Sequence, residues 1–249
     1  MADSPALSDV RVINISKSFS GLQALSKVSL TVPTGIIWGL IGPNGSGKTT
    51  LLNVISGVLP PDSGEVWLND TNITALASDR IARLGIARTF QTIRLFKRLT
   101  VSENVEAGVM TVERGAIDHR VADLLERFGL TEWASTPAGS LPYGIQRRLE
   151  IARALGTRPK ILLLDEPAAG LNESESEDLL SVIQGVRSDK EYGCGMLVID
   201  HDLRLIMRLC DQIHVLNEGR TIAEGTPQEV RNHPAVIEAY LGHQNQALP

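Results

Sequence analysis

Long apolar runs are missing from this chain. The longest, residues 36–41 and 161–164, fall far short of the roughly 18–20 residues that span a bilayer, so no segment is expected to cross a membrane. Cysteine is nearly absent as well. Cys194 and Cys210 show no metal-ligand spacing, which excludes a disulfide framework or a zinc module and leaves two unpaired core thiols as the expectation. A basic excess is also lacking. With 24 Lys and Arg against 29 Asp and Glu, the formal net charge of -5 offers no cationic face for duplex DNA or RNA, and nucleic acid is not expected as a partner. The opening Met1-Ala2-Asp3-Ser4-Pro5 has no basic stretch followed by an apolar one, so it does not read as a secretory signal, and the chain is expected in the cytosol. No internal repeat or low-complexity tract is visible.

What is present suits one α/β unit. A chain of 249 residues is long enough for a single large core, or a core with a subdomain. Residues 10–15 and 27–32 alternate apolar and polar positions, as half-buried antiparallel strands do, and predict a small sheet at the start. Residues 36–41 are continuously apolar, end at glycine and lead into 49–55, whose apolar positions fit a helix. From about Asp79 to Arg153 the apolar spacing is helical, broken at Gly115 and around Pro137-Ala138-Gly139. Residues 161–164 and 196–199 read as buried parallel strands with a polar helix from about Glu173 to Ser188 between them. The expected division is therefore a core with its β subdomain at about 9–78 and 154–249, interrupted by a helical subdomain at about 79–153.

Two segments carry chemistry. Gly42-Pro43-Asn44-Gly45-Ser46-Gly47-Lys48-Thr49 matches the phosphate-binding loop of Gly, four residues, then Gly-Lys-Ser/Thr, and it stands between a strand and a helix as that loop must. Its glycines let backbone N–H groups turn toward phosphate, the helix presents its positive end, Lys48 reaches the β and γ oxygens, and Thr49 offers a hydroxyl to Mg²⁺. The second segment, Ile161-Leu162-Leu163-Leu164-Asp165-Glu166, delivers two carboxylates at a strand end. Asp165 can hold Mg²⁺ through its water shell, while Glu166 can take a proton from, or orient, the attacking water. A solvated acidic turn before Pro167 is the plainer alternative; the buried strand beside a phosphate loop favours the catalytic pair.

Over nearly its whole length the chain then resembles the ABC ATPase family, whose further motifs appear in order. Gln91, in Arg88-Thr89-Phe90-Gln91, resembles the glutamine that touches Mg²⁺ or the attacking water where a membrane subunit docks. His201 resembles the switch histidine that meets the γ-phosphate, and Ala169-Gly170-Leu171-Asn172 the loop that crosses the dimer interface. Phe19 resembles the aromatic that stacks on adenine. The resemblance implies an α/β P-loop NTPase (RecA-like) core with a small antiparallel β subdomain and an inserted helical subdomain. It implies ATP and Mg²⁺ as cofactors, with Glu166, His201, Gln91 and Lys48 in catalysis and Thr49, Gln91 and Asp165 at the metal. The nucleotide would meet Phe19, Gly42, Pro43, Asn44, Gly45, Ser46, Gly47, Lys48, Thr49, Thr50 and, from the opposite subunit, Gly144. That last residue belongs to Leu141-Pro142-Tyr143-Gly144-Ile145, which occupies the place of the family's Leu-Ser-Gly-Gly-Gln signature. Pro142 brings neither a hydroxyl nor an N–H, and Tyr143 replaces a glycine. Arg147, Arg148 and Arg153, further along the same helix, are expected on a solvated face.

Among members of that family, the chain most resembles ATPases of branched-chain amino-acid importers. The resemblance rests on Leu99-Thr100-Val101-Ser102-Glu103-Asn104, Tyr143-Gly144, Gln146 to Arg153, Ala168 to Asn172 and the ending Ala239-Tyr240-Leu241-Gly242. It implies transmembrane permeases, an extracytoplasmic solute-binding protein acting indirectly, a place on the inner face of the membrane, and a second ATPase. A different chain is favoured for that second ATPase, with a homodimer as the alternative. A short stretch from about Glu106 to Arg127 departs from many members, and ATPases for urea, short amides or lipopolysaccharide export share much of the text. From other classes, a soluble ABC protein of translation or repair and a non-catalytic regulatory cassette are the rivals. One phosphate loop, no sustained heptads and the retained catalytic set speak against both.

Overall fold

The computed structural model describes residues 9–112, 115–189 and 191–244. The expectation drawn from Met1 to Pro5 and the end of the core at 245–249 lie outside the described residues. In chain order the elements are β1 (Asp9–Phe19), β2 (Leu22–Pro33), β3 (Ile37–Ile41), α1 (Lys48–Ile55), β4 (Ser63–Leu68), β5 (Thr71–Asn72), α2 (Ser78–Leu84) and β6 (Ile86–Arg88). There follow α3 (Val101–Val109), α4 (Ile117–Arg127), α5 (Tyr143–Gly156), β7 (Ile161–Asp165), α6 (Glu173–Ser188), β8 (Gly195–Ile199), α7 (Leu203–Leu209), β9 (Gln212–Asn217), β10 (Arg220–Gly225), α8 (Pro227–Arg231) and α9 (Pro234–Gln244).

The strands form two sheets. β2-β1-β4-β5 is antiparallel, with Val10 opposite Val32 and Val12 opposite Leu30, so the alternating valines and leucines fall on one buried face. The larger sheet runs β10-β9-β3-β8-β7-β6 and is parallel except for the β9–β10 hairpin. Its central strands are apolar throughout because both faces are covered. On β7, Ile161 and Leu163 join the core beneath β1, β2 and α1, whereas Leu162 and Leu164 join the one beneath α3 to α7.

One expectation fails within 79–153. Residues Ile86–Arg88 are not helical but a sixth strand of the large sheet, paired with β7 at Ile86↔Ile161 and Arg88↔Leu163. Three residues are too few for periodicity to register, and the pairing is a tertiary fact. The helices α3, α4 and α5 come after it. The sheet brings the carboxyl ends of β3, β7 and β8 side by side, with Leu40 opposite Ile199 and Asp165 opposite Ile199 on the other flank. Gly42, Glu166 and His201 therefore emerge at one edge, where open α/β sheets place their ligands.

Candidate nucleotide site

The loop after β3 needs its glycines for distinct reasons. Gly42 has φ 148°, and a Cβ there would lie 2.0 Å from the Leu216 carbonyl oxygen, so any side chain would push the loop off β9. Gly47, at φ 103° just before α1, passes so near β2 that a Cβ would meet the Ala24 carbonyl oxygen at 2.5 Å. Lys48 Nζ folds back to donate to the Gly42 carbonyl at 2.7 Å and the Pro43 carbonyl at 2.9 Å. Burial holds its ammonium below the ordinary lysine value, with Glu166 and Asp165 opposing that shift. A half-buried cation resting on neutral carbonyls, beside a loop turned toward open space at Gly45, fits an anionic phosphate group.

Asp165 ends β7 almost fully buried, and its Oδ2 accepts from Arg88 Nη2 at 2.9 Å. Arg88 is itself fixed by Asn53 Oδ1 at 2.7 Å on α1 and by Ser56 Oγ at 3.0 Å just past its end. The next residue, Glu166, has φ 48°, a left-handed conformation that non-glycine residues adopt at a cost of about 1 kcal/mol or more. Its amide donates to the Ile199 carbonyl at 2.7 Å, which holds the turn open. Gln91 Nε2 donates to Glu166 Oε2 at 3.0 Å, and His201 Nδ1 stands 3.6 Å from the same oxygen. On the other side His201 Nδ1 is 3.5 Å from Oδ1 of Asp200. Burial pushes the Asp200 carboxyl above the usual aspartate range, against the Asp202 amide, His201 and the Ala168 amide. Lys48, Asp165, Glu166, Gln91 and His201 are thus brought together, and Thr49 follows Lys48 in the first turn of α1.

Residues 25–169 match the family described as ABC transporter, and residues 220–244 match one described as branched-chain amino acid ATP-binding cassette transporter. The chain belongs to the ABC transporter family. It is similar to the high-affinity branched-chain amino acid transport ATP-binding protein BraF of Pseudomonas aeruginosa, at 43% identity over 94% of this chain and 97% of that one. Similarity to LivG of Escherichia coli, of the same description, is 43% over 90% and 94%. The lipopolysaccharide export system ATP-binding protein LptB of Escherichia coli is 36% identical over 92% and 95%. Among solved structures, the ADP conformation of MJ1267, an ATP-binding cassette of an ABC transporter, superposes with TM-score 0.83 at 33% identity over 94% of this chain and 99% of that one. As an ABC cassette the chain is an ATPase with ATP and Mg²⁺ as its cofactors, and it works as a dimer with membrane permeases. No helix among the described residues is long and apolar enough to cross a membrane.

The family's remaining motifs lie on β1 and at the start of α5. Phe19 is 45% exposed at the end of β1, with Lys17 Nζ 5.8 Å from its ring centroid. Pro142 caps α5 without a side-chain hydrogen bond, and Tyr143 is exposed beside it, whereas Gly144 is buried against Glu175. Arg147 corrects the expectation of a solvated α5 face: its side chain is 0% exposed, paired with Glu150 at 2.9 Å. Arg153 is half-buried too, donating to the Arg94 carbonyl and lying over the Phe96 ring at 5.2 Å. Arg148 is half-buried as well, bonded to Asp178 at 2.9 Å, so none of the three lies on a freely solvated face. Sequence reasoning missed Arg88 and Asp200 as supports of the carboxylates. Arg88 was visible only as a basic residue before Thr89-Phe90-Gln91, and nothing short of the β6–β7 register shows that it reaches Asp165.

Proposed function

We propose that the chain hydrolyses ATP to drive uptake of branched-chain or related amino acids through separate permeases, acting from the inner face of the membrane and downstream of a solute-binding protein. Identity to the branched-chain relatives over nearly the whole length carries this reading, supported by the separate match of residues 220–244. In it Lys48 and the loop N–H groups bind the phosphates, Phe19 stacks on adenine, and Gly144 of one subunit faces the ATP of the other. Thr49, Asp165 and Gln91 would hold Mg²⁺, which would offset the negative charge of the phosphates. Glu166 takes the proton of the attacking water, Gln91 aligns that water, and His201 steadies the γ-phosphate. Vesicles carrying the assembled transporter and its binding protein would take up leucine only with ATP inside the compartment that holds this chain. ATP hydrolysis stimulated by lipopolysaccharide, without leucine uptake, would favour the export reading that the 36% identity to LptB leaves open.

A different ATPase chain is the proposed partner, because Pro142 and Tyr143 leave the signature poor in donors. Residues 89–156, which carry α3 to α5, and the α/β remainder are the proposed subdomains, with the first boundary at the end of β6 rather than at residue 79.

A further inference from the structure

The helix that opens with the atypical signature also grips the Gln91 loop. Arg147 Nη1 donates to the Phe90 carbonyl at 2.8 Å and to Glu150 Oε2 at 2.9 Å, while Nη2 donates to the Gln91 carbonyl at 2.9 Å and to Tyr143 Oη at 3.3 Å. The other oxygen of Glu150 accepts from the Arg94 amide at 2.9 Å. Two charged side chains one helical turn apart thus hold the loop by its backbone, leaving the Gln91 side chain free to donate to Glu166. Beyond Arg147, the Tyr143 ring lies against Gly170 so closely that a Cβ there would stand 3.0 Å from Tyr143 Cε1.

From this geometry we propose that Tyr143 and Arg147 are positioning residues that link the signature segment and the Gly170 loop to the Gln91–Glu166 pair of the same chain. A planar guanidinium with bonds to consecutive carbonyls fixes both orientation and distance, which an ammonium cannot do. Because Arg147 has no exposed surface, a displacement of Tyr143 must break the hydroxyl bond or carry the guanidinium, and the Gln91 carbonyl, with it. The glycine of the usual signature would reach neither Arg147 nor Gly170, so the substitution at 143 adds a connection as well as removing a donor. The inference rests on the proposed roles of Gln91 and Glu166.

The test is a double-mutant cycle on the assembled transporter, reading kcat and KM for ATP. Tyr143→Phe deletes one hydroxyl, leaves the fold intact and lowers kcat about fivefold, the worth of one hydrogen bond, with little change in KM. Arg147→Lys, which keeps the charge but loses a carbonyl contact, lowers kcat further; if that variant fails to assemble, Tyr143→Phe carries the test. In a Gln91→Ala background both substitutions have no additional effect on kcat, since the link no longer has a side chain to place. A purely structural role predicts the same fractional loss in both backgrounds, and that result, or an unchanged kcat for Tyr143→Phe alone, overturns the link. An undiminished kcat for Gln91→Ala by itself overturns the role of Gln91 and the link together.

Discussion

Glu166 is the residue where local strain and chemistry coincide, and its left-handed backbone survives because the Ile199 carbonyl and Gln91 hold it from two sides. Glu166→Gln keeps this shape while removing the proton acceptor, so turnover is expected to fall to background with ATP binding retained. Steady-state hydrolysis and equilibrium nucleotide binding, measured on the same complex, check both halves. Lys48→Ala is expected to weaken binding as well, since it takes a half-buried cation away from the loop carbonyls. Asp200 offers a test by pH. Burial raises its folded value above that of an unfolded aspartate, so its contribution to stability is full below the unfolded value and is lost as pH rises through the folded one. Asp200→Asn cannot ionise, and its melting temperature relative to the parent is expected to climb as pH rises from the unfolded aspartate value, about 4, through the raised folded one. A difference that does not move with pH would mean that burial of the charge is not what Asp200 contributes.

At the scale of elements, the parts legible in the sequence were those with their own period or a fixed spacing. The valines of β1 and β2, the apolar runs of β3, β7 and β8 and the polar helix α6 all declare themselves within a short stretch of chain. β6 does not, because only its pairing with β7 makes Ile86–Arg88 a strand. The same limit hid Arg147: its neighbours Gln146, Arg148 and Glu150 read as a polar helix face, and only the loop lying across that face converts it into a buried ion pair. Residues 90–99 are that loop, and they follow α5 closely on one side while Arg94, Phe96, Lys97 and Arg98 stay exposed on the other. Cysteines placed at 94–98 are therefore expected to crosslink to a cytoplasmic helix of the permease in the assembled transporter. No crosslink across the whole segment would count against docking there. The adjoining α3 starts on a reciprocal cap between Thr100 and Glu103, and Thr100→Ala is expected to lower stability by about 1 kcal/mol in denaturant unfolding.

Over the whole molecule, the two surfaces that must meet in a dimer are unequally equipped. The loop surface brings Lys48, Asp165, Glu166 and His201 together. The signature surface is poor in donors: Pro142 has no N–H, Tyr143 has turned toward Gly170, and a Cβ on Gly144 would lie 2.8 Å from Glu175 Oε1. A carboxylate beside the start of α5 opposes the attraction that a helix N-terminus has for phosphate. Two copies of this chain would set that surface opposite both ATP molecules. A different chain with a full signature would instead complete the site built on Lys48 and Glu166 here, leaving only its own ATP to face Pro142 and Glu175. Most turnover is then expected at the site that this chain's carboxylates form. Glu166→Gln in this chain should reduce transport by an order of magnitude more than the matching change in its partner, since charge-assisted donors at a phosphate are worth roughly 1.5–3 kcal/mol each. Equal losses from the two single changes, or full transport with this chain as the only ATPase, would show that Tyr143 and the α5 amides make a competent signature by themselves.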